Sequence, residues 1–289
     1  MARTLNPATH DALAERLRFY RDLGLTDLYR RPVEAHANEN VGATGPSHLR
    51  TGETNSSAQV IPEIPSTQPN FFGEEPAIKK RTAISAPPQL AAVRVEDRVA
   101  ALQLIRDDIG DCTRCALHTG RHSIVFADGS PTARLMFVGE GPGADEDAQG
   151  LPFVGRAGQL LNNMISAMGL KREEVYIANV VKCRPPGNRT PEPAEANTCS
   201  QFLFRQIDVV RPQVLVALGA TAATYLLGAR QPLAGLRGRV HAFRGMSLIV
   251  TYHPAFLLRD PRQKKEAWAD LQLAMKELGL KAPKAGVGR

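Results

Sequence analysis

Residues Leu135-Met-Phe-Val138 form a short, unbroken apolar run that stops at Gly139-Glu-Gly-Pro-Gly143. A continuous apolar run of this length is the pattern of a strand covered on both faces of a sheet. The Gly and Pro residues that follow force a sharp loop off its carboxyl end. In open α/β sheets ligands sit at that edge, because the βα loops project there from rigid strands. Glu140 is thereby set at the lip of a crevice, between glycines that permit another molecule to approach closely. The same loop also reads as a plain turn carrying a solvated glutamate.

Further runs repeat the theme. Glu174–Lys182 and Val214–Leu218 read as buried strands, and a hairpin over Arg239–Met246 leads into a strand at Ser247–Tyr252 that His253-Pro254 ends. Helical patterns fall between and around them, at 95–109, 155–168, from Thr190 to Val210, at 220–227 and at 262–278. In the third helix of that series Thr190 is the expected N-cap and Pro191 the first helical residue. Strands alternating with helices at this spacing imply an α/β fold in three α/β/α layers with a mostly parallel four-stranded sheet. Residues 1–32 read as a short helical extension broken at Gly24 and ended by Pro32. Residues 33–94 are rich in Asn, Thr, Ser, Pro and Glu and read as a disordered linker. The main domain is expected over 95–280, with a flexible tail at 281–289.

The chain has 289 residues and a net charge of +7. Nearly all of that excess lies beyond residue 94, as expected of a domain that meets a polyanion, although a solvated basic surface gives the same count. With no apolar run near the roughly 18 residues of a membrane span and no N-terminal charged-then-apolar signal, the chain reads as soluble and cytoplasmic. Its four cysteines, Cys112, Cys115, Cys183 and Cys199, are expected to bind metal rather than to form disulfides. The first two form a C-x2-C pair, whereas the others are widely spaced. Four thiolates without a histidine suit an iron–sulfur cubane at least as well as zinc. Three strand ends converge on one edge of the sheet, bringing Glu140, the segment from Asn179 to Arg189, and His253 to one side.

Taken in order, Gly-Glu-Gly-Pro-Gly at 139–143 with Glu146-Asp147, Pro-Phe-Val-Gly at 152–155, Asn-Val-Val-Lys-Cys-Arg-Pro-Pro at 179–186 and His-Pro-Ala-Phe-Leu-Leu-Arg at 253–259 resemble the iron–sulfur, family-4 branch of the uracil-DNA glycosylase superfamily. The resemblance covers about residues 95 to 280. It implies a [4Fe-4S] cluster held by Cys112, Cys115, Cys183 and Cys199. Ala255 stands where relatives often carry Ser, a departure that bears on a phosphate contact.

The resemblance also implies roles. Phe153 stacks on an everted uracil, a place where a core plug is the other reading. Asn179 reads the base, since a primary amide matches the N3–H and O4 edge of uracil and not that of cytosine. Glu146 is the candidate for excluding the thymine methyl. His253 donates to uracil O2 as charge develops on the leaving base. Glu140 stabilises the cationic sugar and orients water, helped by Asn188. Gly141 lines the substrate loop where other branches have an acidic or amide residue. Leu257 and Leu258, expected on an exposed turn, fill the hole in the duplex, with core burial as the alternative. Arg184, Arg189 and Arg259 are the expected phosphate contacts.

The activity implied is that of a monofunctional uracil-DNA glycosylase of base-excision repair, because no lysine is placed as a Schiff-base nucleophile. A non-catalytic iron–sulfur DNA-binding or DNA-polymerase-accessory module is the alternative. The partner is uracil-containing DNA; the chain is expected to be a monomer, with residues 1–94 available to a repair or replication protein.

Overall fold

The computed structural model describes residues 86–281. The helical extension expected at 1–32, most of the linker and nearly all of the tail lie outside the described residues. Residues 86–94 belong to the domain rather than to a linker. They run without helix or strand and are tied down by the Leu90 N–H on Asp208 (3.0 Å) and by Arg244 donating to the Pro87 carbonyl.

Helix α1 (Arg98–Ile109) precedes the sheet. The strands are β1 (Asp128–Gly129), β2 (Leu135–Gly139), β3 (Tyr176–Asn179), β4 (Val214–Leu218), β5 (Val240–Phe243) and β6 (Met246–Thr251). They lie in the order β1-β3-β2-β4-β6-β5. The inner four are mutually parallel, as the sequence predicts, and the two outer strands pair antiparallel. The sheet therefore has six strands, not four. β5 is the first arm of the expected hairpin, whereas β1 is two residues long and carries no apolar pattern that would announce it.

Between and after the strands come α2 (Ala144–Gln149), α3 (Arg156–Ala167), α4 (Pro193–Val210), α5 (Ala220–Leu227), α6 (Leu233–Leu236), α7 (Pro254–Arg259) and α8 (Lys264–Leu278). Every residue of β2, β3 and β4 is buried, because helices cover both faces. On one face Met136, Val138 and Leu215 pack with α1, α4 and α5. On the other, Leu135, Phe137 and Val216 pack with α3 and α8. Among the described residues, no helix is long and apolar enough to cross a membrane.

Helix α4 begins later than Thr190. Its N-cap is Glu192 and Pro193 occupies the first turn, while Glu195 accepts the Glu192 N–H at 2.8 Å. The Thr190 carbonyl is instead held by Arg189 at 3.1 Å, so the chain is still outside the helix there.

The chain runs from β2 to β3 on one side and then back past β2 to β4 and β6 on the other. The reversal opens a crevice beyond the carboxyl ends of the parallel strands. One close packing contact fixes its floor. Gly158 in α3 sits against the Phe153 backbone, where an added Cβ would collide with the Phe153 carbonyl. Gly158→Ala is therefore expected to lower stability by about 1–3 kcal/mol, the usual cost of overpacking. Thermal unfolding of the two proteins side by side checks this, and equal melting temperatures would refute the contact.

Candidate active site

The crevice holds a cavity of about 450 Å³, in the range of small-molecule sites. Its lining includes Glu140, Gly141, Phe153, Asn179, Asn188 and His253, which come from the end of β3 and from the segments that follow β2, β3 and β6. Residues separated by more than a hundred positions in the chain thus share one space. Arg189, Thr190, Phe256 and Arg259 complete much of its wall.

Asn179 is the last residue of β3, opposite Gly139 at the end of β2. It is 1 % exposed, and its side-chain oxygen has no hydrogen-bond partner within the protein. An unsatisfied buried amide oxygen costs roughly 1–3 kcal/mol. Of the three buried side-chain atoms left unpaired among the described residues, it alone belongs to a residue lining the cavity.

Phe153 adopts φ +54°, a left-handed conformation costly for a bulky residue. Arg172 holds it there by donating to the Phe153 carbonyl (3.1 Å) and the Pro152 carbonyl (2.6 Å). The same guanidinium is fixed by Asp128 and Asn162, both at 2.8 Å. Sequence reasoning missed this arginine, whose partners lie 10 to 44 residues away. Phe153 faces His253, with ring centroids 5.6 Å apart.

His253 caps α7: its Nδ1 accepts the Ala255 N–H at 3.1 Å. A ring nitrogen accepting from a backbone N–H carries no proton, so in the neutral ring the proton is on Nε2. Water reaches part of the ring through the cavity, but the protein packed round it pushes its pKa down to about 4. The nearby Arg259 charge acts in the same direction and Glu146 opposes both. The imidazole is therefore a neutral donor at physiological pH.

Glu146, expected beside the thymine methyl, ties two loops together. Its carboxylate accepts from the N–H groups of Gly143 (3.1 Å), Val154 (2.9 Å) and Gly155 (3.0 Å), while the residue still lines the cavity. Asn188 sits at φ +57° and its Oδ1 accepts from Arg184 at 2.7 Å. Arg189 makes a bidentate pair with Glu195 at 2.7 and 2.8 Å, which holds that buried carboxyl below its usual range. Both arginines thus have protein partners that the sequence did not reveal. Leu257 is 1 % exposed, inside α7 rather than on an exposed turn, and Leu258 is half-buried. The Pro254 start of α7 turns Leu257 inward, so core burial is the correct reading for that residue.

The four cysteines line a second, smaller pocket, together with residues from the end of α1, the chain past β3 and α4. Arg121 donates to the Cys112 carbonyl (2.5 Å) and lies 3.6 Å from the Cys183 sulfur. Arg114 is 3.6 Å from the Cys112 sulfur, and the Lys182 N–H is 3.2 Å from that of Cys199. Burial raises the thiol pKa values of Cys115, Cys183 and Cys199, the last to about 12. Among the described residues no group of three or more His, Cys, Asp and Glu side chains converges on a single-ion site. Four cysteines around one pocket, with N–H groups directed at the sulfurs of Cys112, Cys183 and Cys199, fit a polynuclear core bound through thiolates.

Residues 126–272 match the model of the uracil DNA glycosylase superfamily. The chain is 45 % identical over 165 residues to a type-4 uracil-DNA glycosylase of Thermotoga maritima, covering 56 % of this chain and 86 % of that protein. It is 39 % identical over 184 residues to one of Archaeoglobus fulgidus, covering 61 % and 92 % respectively. For one of Pyrobaculum aerophilum the figures are 42 % over 180 residues, 60 % and 92 %. The matched span contains the cavity and its three strand ends, so the chain belongs to the uracil DNA glycosylase superfamily, in its type-4 family, and is a glycosylase-type hydrolase acting on N-glycosidic bonds.

Proposed function

We propose that this protein removes uracil from DNA, taking the flipped base into the 450 Å³ cavity and leaving an abasic site for base-excision repair. The observation that carries the reading is Asn179 in the lining of that cavity, a buried amide whose side-chain oxygen has no partner within the protein. The uracil N3–H satisfies it, and the amide nitrogen of the same side chain meets O4. Cytosine presents an acceptor and a donor in the opposite sense and leaves both pairs unmade.

Extruding the nucleotide costs about a few kcal/mol. Stacking on Phe153 returns roughly 1–3 kcal/mol. As the glycosidic bond lengthens, negative charge grows on the base and positive charge on the sugar. The Nε2–H of His253 donates to uracil O2, stabilising the departing anion without a proton transfer. Glu140, on the loop after β2, faces the developing cation and orients the attacking water. Asn188 gives its Oδ1 to Arg184, so it would hold that water through its amide nitrogen. Arg259 is exposed at the cavity wall and suits a phosphate contact. Leu258 remains the candidate wedge.

Cys112, Cys115, Cys183 and Cys199 would hold a [4Fe-4S] cluster. All four side chains line one pocket. The cluster would act as a staple, joining the loop after α1 to the end of β3 and to α4, and thereby steadying the 184–190 segment.

A non-catalytic DNA-binding or polymerase-accessory module would bind uracil-containing DNA without releasing base. Its site would not need Glu140, Asn179 and His253 in one cavity. Asn179→Ala and Glu140→Ala are each expected to slow single-turnover base release from a uracil oligonucleotide by about 10²-fold or more. Wild-type rates in both variants would overturn the assignment.

Because His253 is neutral down to about pH 4, its protonation should impose no loss of rate between pH 8 and about pH 5. A rate that falls near the ordinary imidazole pKa, and no longer does so in His253→Gln, would contradict the neutral donor. Stability shows the same linkage. The unfolded chain takes up a proton on His253 below pH 6.5 that the folded state refuses until about pH 4. Stability is therefore lost as pH falls through that window, and denaturant titrations should show a shallower slope in His253→Gln.

Purified anaerobically, the protein should be brown and carry on the order of four irons per chain. Stoichiometric zinc without iron would remove the cluster from the proposal.

A further inference from the structure

Lys182 is an unusual residue to find where it lies. It is 1 % exposed and lines the cysteine pocket, and among the described residues no carboxylate pairs with it. Its ammonium donates to the Asn179 carbonyl at 2.9 Å and to the Gln206 side-chain oxygen at 2.6 Å. Gln206 is in turn held by the Tyr176 hydroxyl and the Phe126 carbonyl, both at 3.2 Å.

The sheet explains why this cation is needed. β1 pairs only with Ile177 and Tyr176, so it has ended before the chain reaches Asn179. On its other side β3 continues its bonds to β2, with Val180 donating to Gly139 and Val181 to Glu140. The Asn179 carbonyl therefore faces the side on which no strand supplies a donor, and a buried carbonyl left there would be costly. Lys182 supplies that donor from three residues further along the same chain. Its own backbone is held in turn: the N–H by the Cys199 sulfur at 3.2 Å, and the carbonyl by the Val125 N–H at 2.8 Å.

We propose that Lys182 is a positioning residue for uracil recognition, locking the Asn179 main chain so that its amide meets the base, and connecting that lock to the cysteine pocket through Cys199. The inference rests on the reading of Asn179 as the residue that recognises uracil. Lys182 does not line the cavity and touches no substrate. Its effect passes entirely through Asn179.

A double-mutant cycle tests this, using the full chain with its iron loaded. Lys182→Met keeps the length of the side chain and removes the donor, and Lys182→Gln restores a neutral donor. Single-turnover base release, iron content and thermal unfolding are measured for each, alone and combined with Asn179→Ala. Lys182→Met is expected to retain iron and a cooperative melt while base release slows about ten- to a hundredfold, the usual consequence of losing a hydrogen bond from a charged donor. Lys182→Gln should recover part of that loss. In the Asn179→Ala background, either lysine change should alter the rate less than about twofold, because the route of its action has been removed.

Additive losses in the cycle would overturn the proposal, as would wild-type rates in Lys182→Met. Loss of the cooperative melt in both lysine variants would overturn it too, since a lysine required for folding is not a specific guide for one side chain. If Asn179→Ala itself released base at the wild-type rate, the reading of Asn179 would have failed instead, and the two failures are thereby distinguished.

Discussion

A side chain at position 139 would fall on the amide oxygen of Asn179 and within 2.7 Å of the Phe153 ring. The absence of one is the constraint on which the cavity depends. β2 and β3 end level with each other, Gly139 against Asn179, and the space a Cβ would occupy is filled by the two groups proposed to read and stack on the base. The amide is consequently placed by the sheet, which is rigid, and the aromatic ring packs against the bare end of β2. Gly219 has a similar part at the end of β4, where its bare Cα lets His253 approach from the neighbouring strand end.

Such placement has to be maintained against strain. Phe153 stays in a left-handed conformation only because Arg172 bonds its carbonyl and that of Pro152. The loop that carries Phe153 is joined to the Gly139–Gly143 loop by one carboxylate, that of Glu146, which satisfies three N–H groups. With these supports in place, the Asn179 oxygen is the unsatisfied group that a ligand can relieve. On the proposed reading, the cost of leaving it unpaired is borne by the empty protein and returned when a matching N–H enters, which would make the match a source of discrimination as well as affinity.

The parts legible in sequence are those whose signal is local. Leu135–Val138 and Val214–Leu218 announce buried strands because every residue in them is apolar, and the Gly-rich stop after Val138 marks the crevice. β1 was invisible: Asp128 and Gly129 make a strand only because β3 lies beside them. Leu257 was misplaced for a related reason. The His253-Pro254 pair is a helix start, with the imidazole as cap, and once α7 is recognised its periodicity turns Leu257 into the core. The partners of Arg172 and Lys182 are set by topology, so only the three-dimensional fold names them. A clue was present for Lys182, a lone charge inside the run Asn-Val-Val-Lys-Cys, where solvent exposure would break the burial pattern.

Topology also revises what the net charge means. A basic excess concentrated beyond residue 94 reads as a surface for phosphate; ion pairs inside the fold leave that excess unchanged but decide which cations stay exposed. Arg237 pairs with Asp270 and Arg244 with Asp208, each at 2.7 Å to a buried carboxylate, and Arg189 does the same with Glu195. Arg114, Arg121 and Lys182 surround the cysteine pocket, where an iron core bound through four thiolates would be an anion enclosed in protein. Burying such an anion is costly unless charges and N–H groups of opposite sense accompany it. Cations next to the sulfurs would answer an internal demand: Lys182 and the Arg121 side chain are buried there, while Arg114 is also exposed to solvent. On the proposed reading, the nucleic-acid contact falls to cations at the mouth of the cavity, with the exposed Arg259 foremost. Its charge has a second effect there, because the same field that attracts a phosphate helps keep His253 unprotonated. One arginine can in this way serve both the backbone of the substrate and the protonation state that the departing base requires.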